Sequence, residues 1–220
     1  MTRVKICGLT RVEDTELAVE LGASALGFNF YPPSPRYIAP ESAREIIRGV
    51  APLVMTIGVF ADETDAGHVL DVAREAGVNT IQLHGPRFPE SANGFRWPYP
   101  LIRAVAVDRN FEPGTLKTLE AAAFLLDAFH PDLKGGTGQT IDWAKAREAA
   151  RYARVILAGG LTPENLAEAI RQVRPYAVDV ASGVESSPGV KDEFRLRAFF
   201  AAVREVDQDL APVDDDPARK

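Results

Sequence analysis

The sequence has few of the features that mark secreted, membrane or nucleic-acid-binding proteins. Its 220 residues include one cysteine, so no disulfide can form within the chain, and an oxidising compartment is not indicated. No apolar run reaches the ~20 residues that a membrane helix needs, and no secretory signal is evident at the N-terminus. The formal net charge of -6 disfavours nucleic acid, since that affinity depends on cationic contacts to phosphates. We therefore expect a cytoplasmic globular protein with no nucleic-acid and no membrane partner.

What the chain does contain is a regular alternation of short apolar runs and amphipathic helical patterns. A hydrophobic content of 46% is ordinary for a globular protein, and the length is enough to bury a core without disulfides or metals. The apolar runs predict eight strands, at residues 3–8, 25–30, 53–60, 79–84, 101–107, 122–127, 154–160 and 176–183. The other pattern predicts helices at residues 12–22, 40–50, 65–77, 142–151, 163–173 and 190–206, with a weak helix near 113–121.

This alternation predicts a fold of class α/β, a single (β/α)8 TIM barrel with eight parallel strands over residues 1–207. Parallel strands joined by helices are buried on both faces, which explains the near-continuous apolar runs. Eight such units within ~200 residues suit a compact barrel. An open doubly wound sheet is the alternative, but no Gly-x-Gly-x-x-Gly fingerprint follows the first strand. The acidic end, residues 208–220, is short of apolar residues, and we expect it to be a disordered tail.

The loops after the sixth, seventh and eighth predicted strands are rich in glycine. They read DAFHPDLKGGTGQTIDW, AGGLTPENL and ASGVESSPGVKD. Glycine lets backbone N–H groups approach a ligand closely, and the helix start at Thr162 and Pro163 offers further N–H groups to an anion. Tight turns would explain any one of these loops. Three adjacent ones favour a phosphate site built from backbone dipoles, which an acidic protein can provide.

One thiol and one carboxyl group stand at the ends of strands that a closed barrel brings face to face. Cys7 ends the first predicted strand, and Asp127 ends the sixth. A buried cysteine is usually a small hydrophobe, and Asp127 could cap the following loop. On opposite sides of one cavity, however, the two groups are suited to moving protons on adjacent atoms of a ligand. Lys5 shares the parity of Cys7, so we expect it to face inwards and to pair with Asp179 or another inward acid.

Several segments together resemble the phosphoribosylanthranilate isomerase family of tryptophan biosynthesis. They are VKICGLT, ALGFNFYPPSPRYI, IGVF, QLHG, LLDAFHPDLKGGTGQTIDW, LAGGLTPENL and VDVASGVESSPGVKD, in the family's order. The resemblance implies a (β/α)8 barrel that converts a small-molecule substrate, phosphoribosylanthranilate, to the 1-deoxyribulose phosphate isomer. The reaction is an Amadori rearrangement without metal or organic cofactor. Family members include monomers and homodimers, and both states stay open for this chain.

The resemblance also implies roles for individual residues. Cys7 matches the general base and Asp127 the general acid. Arg36 matches the arginine that holds the anthranilate carboxylate, although a solvated loop arginine is the simpler interpretation of the sequence. Asp179 matches a carboxylate near the substrate nitrogen, although an ion pair inside the barrel is equally open. The phosphate-binding backbone is implied at Gly135, Gly136, Gly138, Gly159, Gly160, Ser182 and Gly183.

The implied chemistry places opposite demands on two pKa values. Asp127 must keep its proton near neutral pH, which burial favours. The pKa of a free thiol is ~8.5, so we expect Lys5 or a helix N-terminus to lower the pKa of Cys7. Two rival functions stay open: the related sugar isomerase of histidine synthesis, which has an aspartate in place of Cys7, and a non-catalytic phosphoribosyl-binding barrel.

Overall fold

The computed structural model describes residues 1–85, 97–128 and 141–210 of the chain. Eight parallel strands close into a barrel in which each strand pairs with the next and the eighth pairs with the first. They are β1 (Arg3–Cys7), β2 (Ala25–Asn29), β3 (Met55–Ala61), β4 (Thr80–His84), β5 (Leu101–Val107), β6 (Ala123–Ala128), β7 (Val155–Leu157) and β8 (Ala177–Val180). The predicted barrel is therefore confirmed, and the open sheet is wrong.

Helices follow most of these strands and cover the outside of the barrel. Within the described residues they are α1 (Val12–Leu21), α2 (Pro40–Ile47), α3 (Ala66–Ala76), α4 (Trp143–Ala149), α5 (Pro163–Val173) and α6 (Glu193–Asp209). The predicted weak helix between β5 and β6 is a 3₁₀ helix, Pro113–Thr118. None of the helices in the described ranges combines the length and the apolarity needed to cross a bilayer.

The structure differs from the prediction mainly around the loops that follow β7 and β8. Both strands are shorter than predicted: residues 158–160 leave the sheet and form a loop after β7, and β8 is followed by a short 3₁₀ helix, Ser182–Val184. A hairpin of two short strands, β9 (Glu185–Ser187) and β10 (Val190–Lys191), then precedes α6. The sequence instead predicts a helix from residue 190. That helix starts later because the Asp192 carboxylate accepts a hydrogen bond from the Arg195 N–H (3.0 Å) and caps it.

The last helix ends at Asp209, later than the predicted residue 206. Helix α6 continues beyond residue 207, because the apolar face of its last turns still packs on the barrel through Val203 and Val206. Residues 211–220 of the predicted tail lie outside the described residues.

The core has two layers. The larger cluster lies between the strands and the helices. A smaller cluster fills the barrel interior and consists of Ile57, Val59, Ile102, Ala123, Leu125, Ile156, Ala158 and Ala177. Side chains of β3, β5, β6, β7 and β8 thus fill the inside of the barrel, so it is a packed core rather than a channel.

Candidate active site

A cavity of about 440 Å³ opens at the C-terminal ends of the barrel strands. Its volume suits a small molecule, and its position is the one where such barrels carry their active sites. Its described lining brings together Cys7, Arg36, Asp127 and Asp179 with the backbone of residues 159–160 and 182–183. The predicted Gly135, Gly136 and Gly138 lie outside the described residues.

The floor of this cavity is a buried ion pair between β1 and β8. Lys5 and Asp179 are register partners, and Lys5 Nζ donates to Asp179 Oδ1 at 2.8 Å. Burial alone would lower the pKa of Lys5, but the charges of Asp179 and Cys7 outweigh it and raise that pKa. The predicted pairing is confirmed, and Lys5 is a permanent cation beneath Cys7.

Strand β2 leaves room for this arrangement by means of a glycine. Gly27 is the register partner of Cys7. A Cβ atom at Gly27 would lie 2.8 Å from Cys7 Sγ and 3.2 Å from Lys5 Nζ. Sequence reasoning missed this residue, although a glycine inside an apolar strand is a signal of close approach.

Burial raises the pKa of both Cys7 and Asp127. It raises the pKa of the half-buried Cys7 thiol, and the opposing charge of Lys5 only partly offsets this. The predicted influence of Lys5 is present, but desolvation of the thiolate is larger. Burial also raises the pKa of Asp127 to about 6. The hydrogen bond that Asp127 Oδ1 accepts from the Ala128 N–H at 2.8 Å lowers this pKa, but by less than burial raises it. Asp127 therefore keeps its proton closer to neutral pH than an ordinary carboxyl group does.

The glycine loops after β7 and β8 meet backbone to backbone at one side of the cavity. Gly159 has φ 80° and Gly160 φ 63°, a conformation that favours glycine. A Cβ atom at Gly183 would overlap the Leu161 carbonyl. Such close packing requires residues without side chains and leaves backbone groups beside the cavity, which suits an anion.

Helix α5 starts at the same place with a capping box. Asn165 Oδ1 accepts from the Thr162 N–H at 2.9 Å, and Asn165 Nδ2 donates to the Gly160 carbonyl at 2.8 Å. The predicted helix start at Thr162 is confirmed. This second bond fixes the Gly160 peptide relative to the helix N-terminus.

Arg36 lies beside the cavity and is held by a carboxylate that sequence reasoning missed. Its Nε donates to both Glu185 oxygens, at 2.9 and 3.1 Å, and its Nη2 donates to Oε2 at 2.7 Å. Lys191 Nζ donates to Glu185 Oε1 at 2.8 Å. Gly8 gives the arginine its space, since a Cβ atom there would lie 2.5 Å from Arg36 Cδ. Only the fold brings these residues together, so their spacing in sequence carries no signal.

Two polar side chains of β4 also line the cavity. Gln82 Nε2 contacts His84 Nε2, and burial lowers the pKa of His84 to about 4, so its imidazole is neutral. Gln82 Oε1 is buried and has no hydrogen-bond partner among the described residues. The sequence pattern Gln-Leu-His at a strand end places both side chains on one face, but sequence reasoning assigned them no role.

A second hollow of about 660 Å³ lies beside the 3₁₀ helix and is bordered by residues 107–110. Its one lysine, Lys145, donates to the carbonyls of Asp108, Arg109 and Phe111 at 2.9 to 3.2 Å. That ammonium group is therefore committed to the backbone, and the strand-end cavity is the better candidate for the active site.

The fold and this cavity define a class: a (β/α)8-barrel enzyme whose strand-end cavity is lined by ionisable side chains and by a glycine-rich backbone. Residues 4–202 match the family model described as N-(5'phosphoribosyl)anthranilate (PRA) isomerase. The chain therefore belongs to the N-(5'-phosphoribosyl)anthranilate isomerase family, and it is an isomerase.

Individual relatives agree with this assignment. The chain is 46% identical over 204 residues to N-(5'-phosphoribosyl)anthranilate isomerase of Syntrophus aciditrophicus, which covers 93% of this chain and 88% of the relative. The crystal structure of phosphoribosyl anthranilate isomerase from Thermus thermophilus is 45% identical, with a TM-score of 0.85, and covers 93% of this chain and 100% of that one. A second crystal structure, of phosphoribosyl anthranilate isomerase in complex with reduced 1-(o-carboxyphenylamino)-1-deoxyribulose 5-phosphate, is 39% identical, has a TM-score of 0.80, and covers 93% and 100% of the two chains.

Proposed function

We propose that the protein converts N-(5-phospho-β-D-ribosyl)anthranilate to 1-(2-carboxyphenylamino)-1-deoxy-D-ribulose 5-phosphate, a step of tryptophan biosynthesis. The observation that carries the proposal is the composition of one cavity. It joins a carboxyl group with a raised pKa, a thiol above a fixed cation, a forked arginine and a glycine-lined backbone. The substrate has a phosphate at one end, a carboxylate at the other and the reacting carbons between them. Each of these chemical groups has a suitable counterpart in the cavity.

In this mechanism Asp127 is the general acid and Cys7 the general base. Protonated Asp127 donates to the furanose ring oxygen, the ring opens, and a protonated Schiff base forms between C1 and the anthranilate nitrogen. The Cys7 thiolate then removes the proton from C2, and the Schiff base accepts the electron pair. The resulting enolamine tautomerises to the ketose. The charge of Lys5, which favours the thiolate, would assist the second step.

The two ends of the substrate have separate binding groups. The backbone at Gly159, Gly160, Ser182 and Gly183 would bind the phosphate, together with Gly135, Gly136 and Gly138. Arg36 would bind the carboxylate, because a guanidinium edge matches a carboxylate in plane. Asp179, already paired with Lys5, would lie near the substrate nitrogen. One related structure is of monomers generated from the dimeric phosphoribosylanthranilate isomerase of Thermotoga maritima. For this chain, the monomer or homodimer and the cytoplasmic location stay predictions.

The rival functions have less support. The relatives carry the name of the anthranilate enzyme rather than that of the histidine-pathway isomerase, and the position of the expected aspartate is occupied by Cys7. A non-catalytic barrel would have no need of a half-buried carboxyl group with a raised pKa in the same cavity as a thiol.

The test is a spectroscopic assay of purified protein with freshly prepared phosphoribosylanthranilate. We expect turnover by the native chain and a loss of roughly 100-fold or more in Cys7→Ser, in line with a general-base role. The variant should still bind the reduced product analogue. Absence of turnover by the native chain would reject the proposed function, and near-normal turnover by Cys7→Ser would reject only the role of the thiol.

The phosphate site has its own test. We expect a crystal soaked in phosphate to show an anion at the backbone of Gly160 and Gly183, with few cationic side chains in contact. An anion held instead by lysine or arginine elsewhere, with these loops empty, would argue against the backbone site.

A further inference from the structure

A chain of three charged side chains leads from the cavity into the protein. Its side chains are increasingly buried, with 16% exposure for Arg36, 4% for Glu185 and 0% for Lys191. Buried charges are tolerated when they are paired and hydrogen-bonded. Two cations share one carboxylate here, so one positive charge is left over. Arg36 is the member of the chain that lines the cavity.

The geometry of the guanidinium group decides where that charge is presented. Glu185 accepts from Nε and Nη2 of Arg36, which form one edge of the planar group. The other edge consists of Nη1 and the second hydrogen of Nη2. That edge offers two parallel N–H donors, the arrangement that binds a carboxylate through both oxygens.

Lys191 fixes the carboxylate to the barrel. Its Nζ donates to Glu185 Oε1 at 2.8 Å, to the Cys7 carbonyl at 2.6 Å and to the Ala181 carbonyl at 3.2 Å. These three bonds use all three ammonium hydrogens and join the β9–β10 hairpin to the ends of β1 and β8. The Lys191 N–H also donates to Asp14 Oδ2 at 2.9 Å. Glu185 thus has a defined position relative to the strand that carries Cys7.

We propose that Glu185 is a positioning residue that orients Arg36 for the substrate carboxylate, and that Lys191 holds Glu185 in place. The inference rests on the proposed role of Arg36 in carboxylate binding. Glu185 and Lys191 do not belong to the described lining of the cavity, so they act through the arginine. Without Glu185, Arg36 would sample several rotamers, and binding a carboxylate would require it to be ordered first.

The test is a double-mutant cycle with two ligands. The variants are Glu185→Gln, Arg36→Met and their combination. The ligands are the reduced product analogue and the same compound with a phenyl ring that lacks the carboxylate. We expect Glu185→Gln to raise KM and the Kd of the carboxylate ligand about tenfold, as the loss of one charge-assisted hydrogen bond would. The turnover number and the Kd of the carboxylate-free ligand should change little. In the Arg36→Met background, Glu185→Gln should have no further effect.

A matched control is available on the surface. Glu45 pairs with Arg48 at the same 2.7 Å but with 69% and 60% exposure, and Glu45→Gln should leave both ligands unaffected. Glu185→Asp, which keeps the charge but shortens the reach, should reproduce the selective loss. Equal weakening of both ligands, or an additive effect in the Arg36→Met background, would overturn the positioning role. If Arg36→Met weakens the carboxylate ligand while Glu185→Gln does not, only this inference fails. If Arg36→Met does not discriminate between the ligands, the proposed role of Arg36 fails with it.

Discussion

Among single residues, burial raises the pKa of both Asp127, the proposed acid, and Cys7, the proposed base. In the proposed mechanism the productive form has Asp127 protonated and Cys7 ionised, although Asp127 is the more acidic of the two. Only a minor fraction of the molecules is in that form at any pH, and this fraction is constant between the two pKa values.

This arrangement predicts which group each limb of the pH profile reports. We expect kcat/KM to rise with pH up to about 6, where Asp127 titrates, to level off, and to fall above the pKa of Cys7. Since a substrate phosphate titrates near ~6 as well, infrared difference spectra between the native chain and Asp127→Asn should locate the carboxyl titration directly. If kcat/KM instead rose with pH in the range where the Cys7 thiol titrates, the assignment of that rise to Asp127 would be wrong.

The raised pKa of Asp127 also leads to a prediction about the free energy of unfolding. Its pKa is about 6 in the folded protein against an ordinary 3.8, so the folded state binds the proton more tightly than the unfolded state. Stability is therefore lost as pH rises from about 4 to about 6. At about 1.4 kcal/mol per pKa unit, Asp127→Asn should increase the free energy of unfolding by about 2 to 3 kcal/mol at pH 8. It should have little effect at pH 4, since the amide can still accept from Ala128.

Urea unfolding at both pH values checks this prediction independently of activity. A variant equally stable with the native chain at pH 8 would show that the carboxyl group is better solvated than its burial indicates.

Among the elements, strand β2 controls the space around the thiol. Gly27→Ala would place a methyl group 2.8 Å from Cys7 Sγ, and strand backbones inside a closed barrel have little freedom to move apart. We expect a loss of turnover well beyond tenfold, with destabilisation of ~1 to 3 kcal/mol from overpacking. Gly114→Ala is the matched control, because a Cβ atom at Gly114 meets nothing within 4 Å. Normal kinetics in Gly27→Ala would show that the thiol can move aside without loss of function.

Elements with a strong local signal are the ones that the sequence predicts well. The strand Leu101–Val107 and the helix Pro163–Val173 have the predicted bounds, because an apolar run or a proline-started amphipathic pattern defines each. The β9–β10 hairpin was missed, since its strands have three and two residues and contain polar side chains. Its Glu185 and Lys191 therefore also escaped prediction.

In the whole molecule, closure of the barrel explains which site residues could be predicted. Parity on β1 and closure against β8 are enough to bring Lys5 to Asp179, and both follow from the strand pattern. The net pKa of Cys7 could not be predicted in this way. Desolvation of the thiolate raises this pKa and the charge of Lys5 lowers it. The size of each effect depends on three-dimensional packing.

The Lys5–Asp179 ion pair, where β1 meets β8, leads to a prediction about the stability of the whole protein. Lys5→Met would leave the Asp179 charge buried without its partner, and we expect it to destabilise the protein by ~3 to 5 kcal/mol. The double variant Lys5→Met/Asp179→Leu should recover most of that loss, as replacement of a buried pair often does. Arg74→Met is the control: its pair with Asp71 is 70% and 77% exposed, so it should cost under ~1 kcal/mol. Urea unfolding of the four proteins decides the matter, and a double variant no better than Lys5→Met would contradict this account.

The single cysteine of this chain also provides a chemical handle. Because Cys7 is the only thiol and lines the cavity, an alkylating reagent such as iodoacetamide should attach once per molecule. Turnover should fall in proportion to the fraction of molecules that are labelled. The labelling rate should climb as pH approaches the raised pKa of the thiol, and it should fall when the reduced product analogue occupies the cavity. Mass spectrometry of the labelled chain would then count functional sites in any preparation without an activity assay.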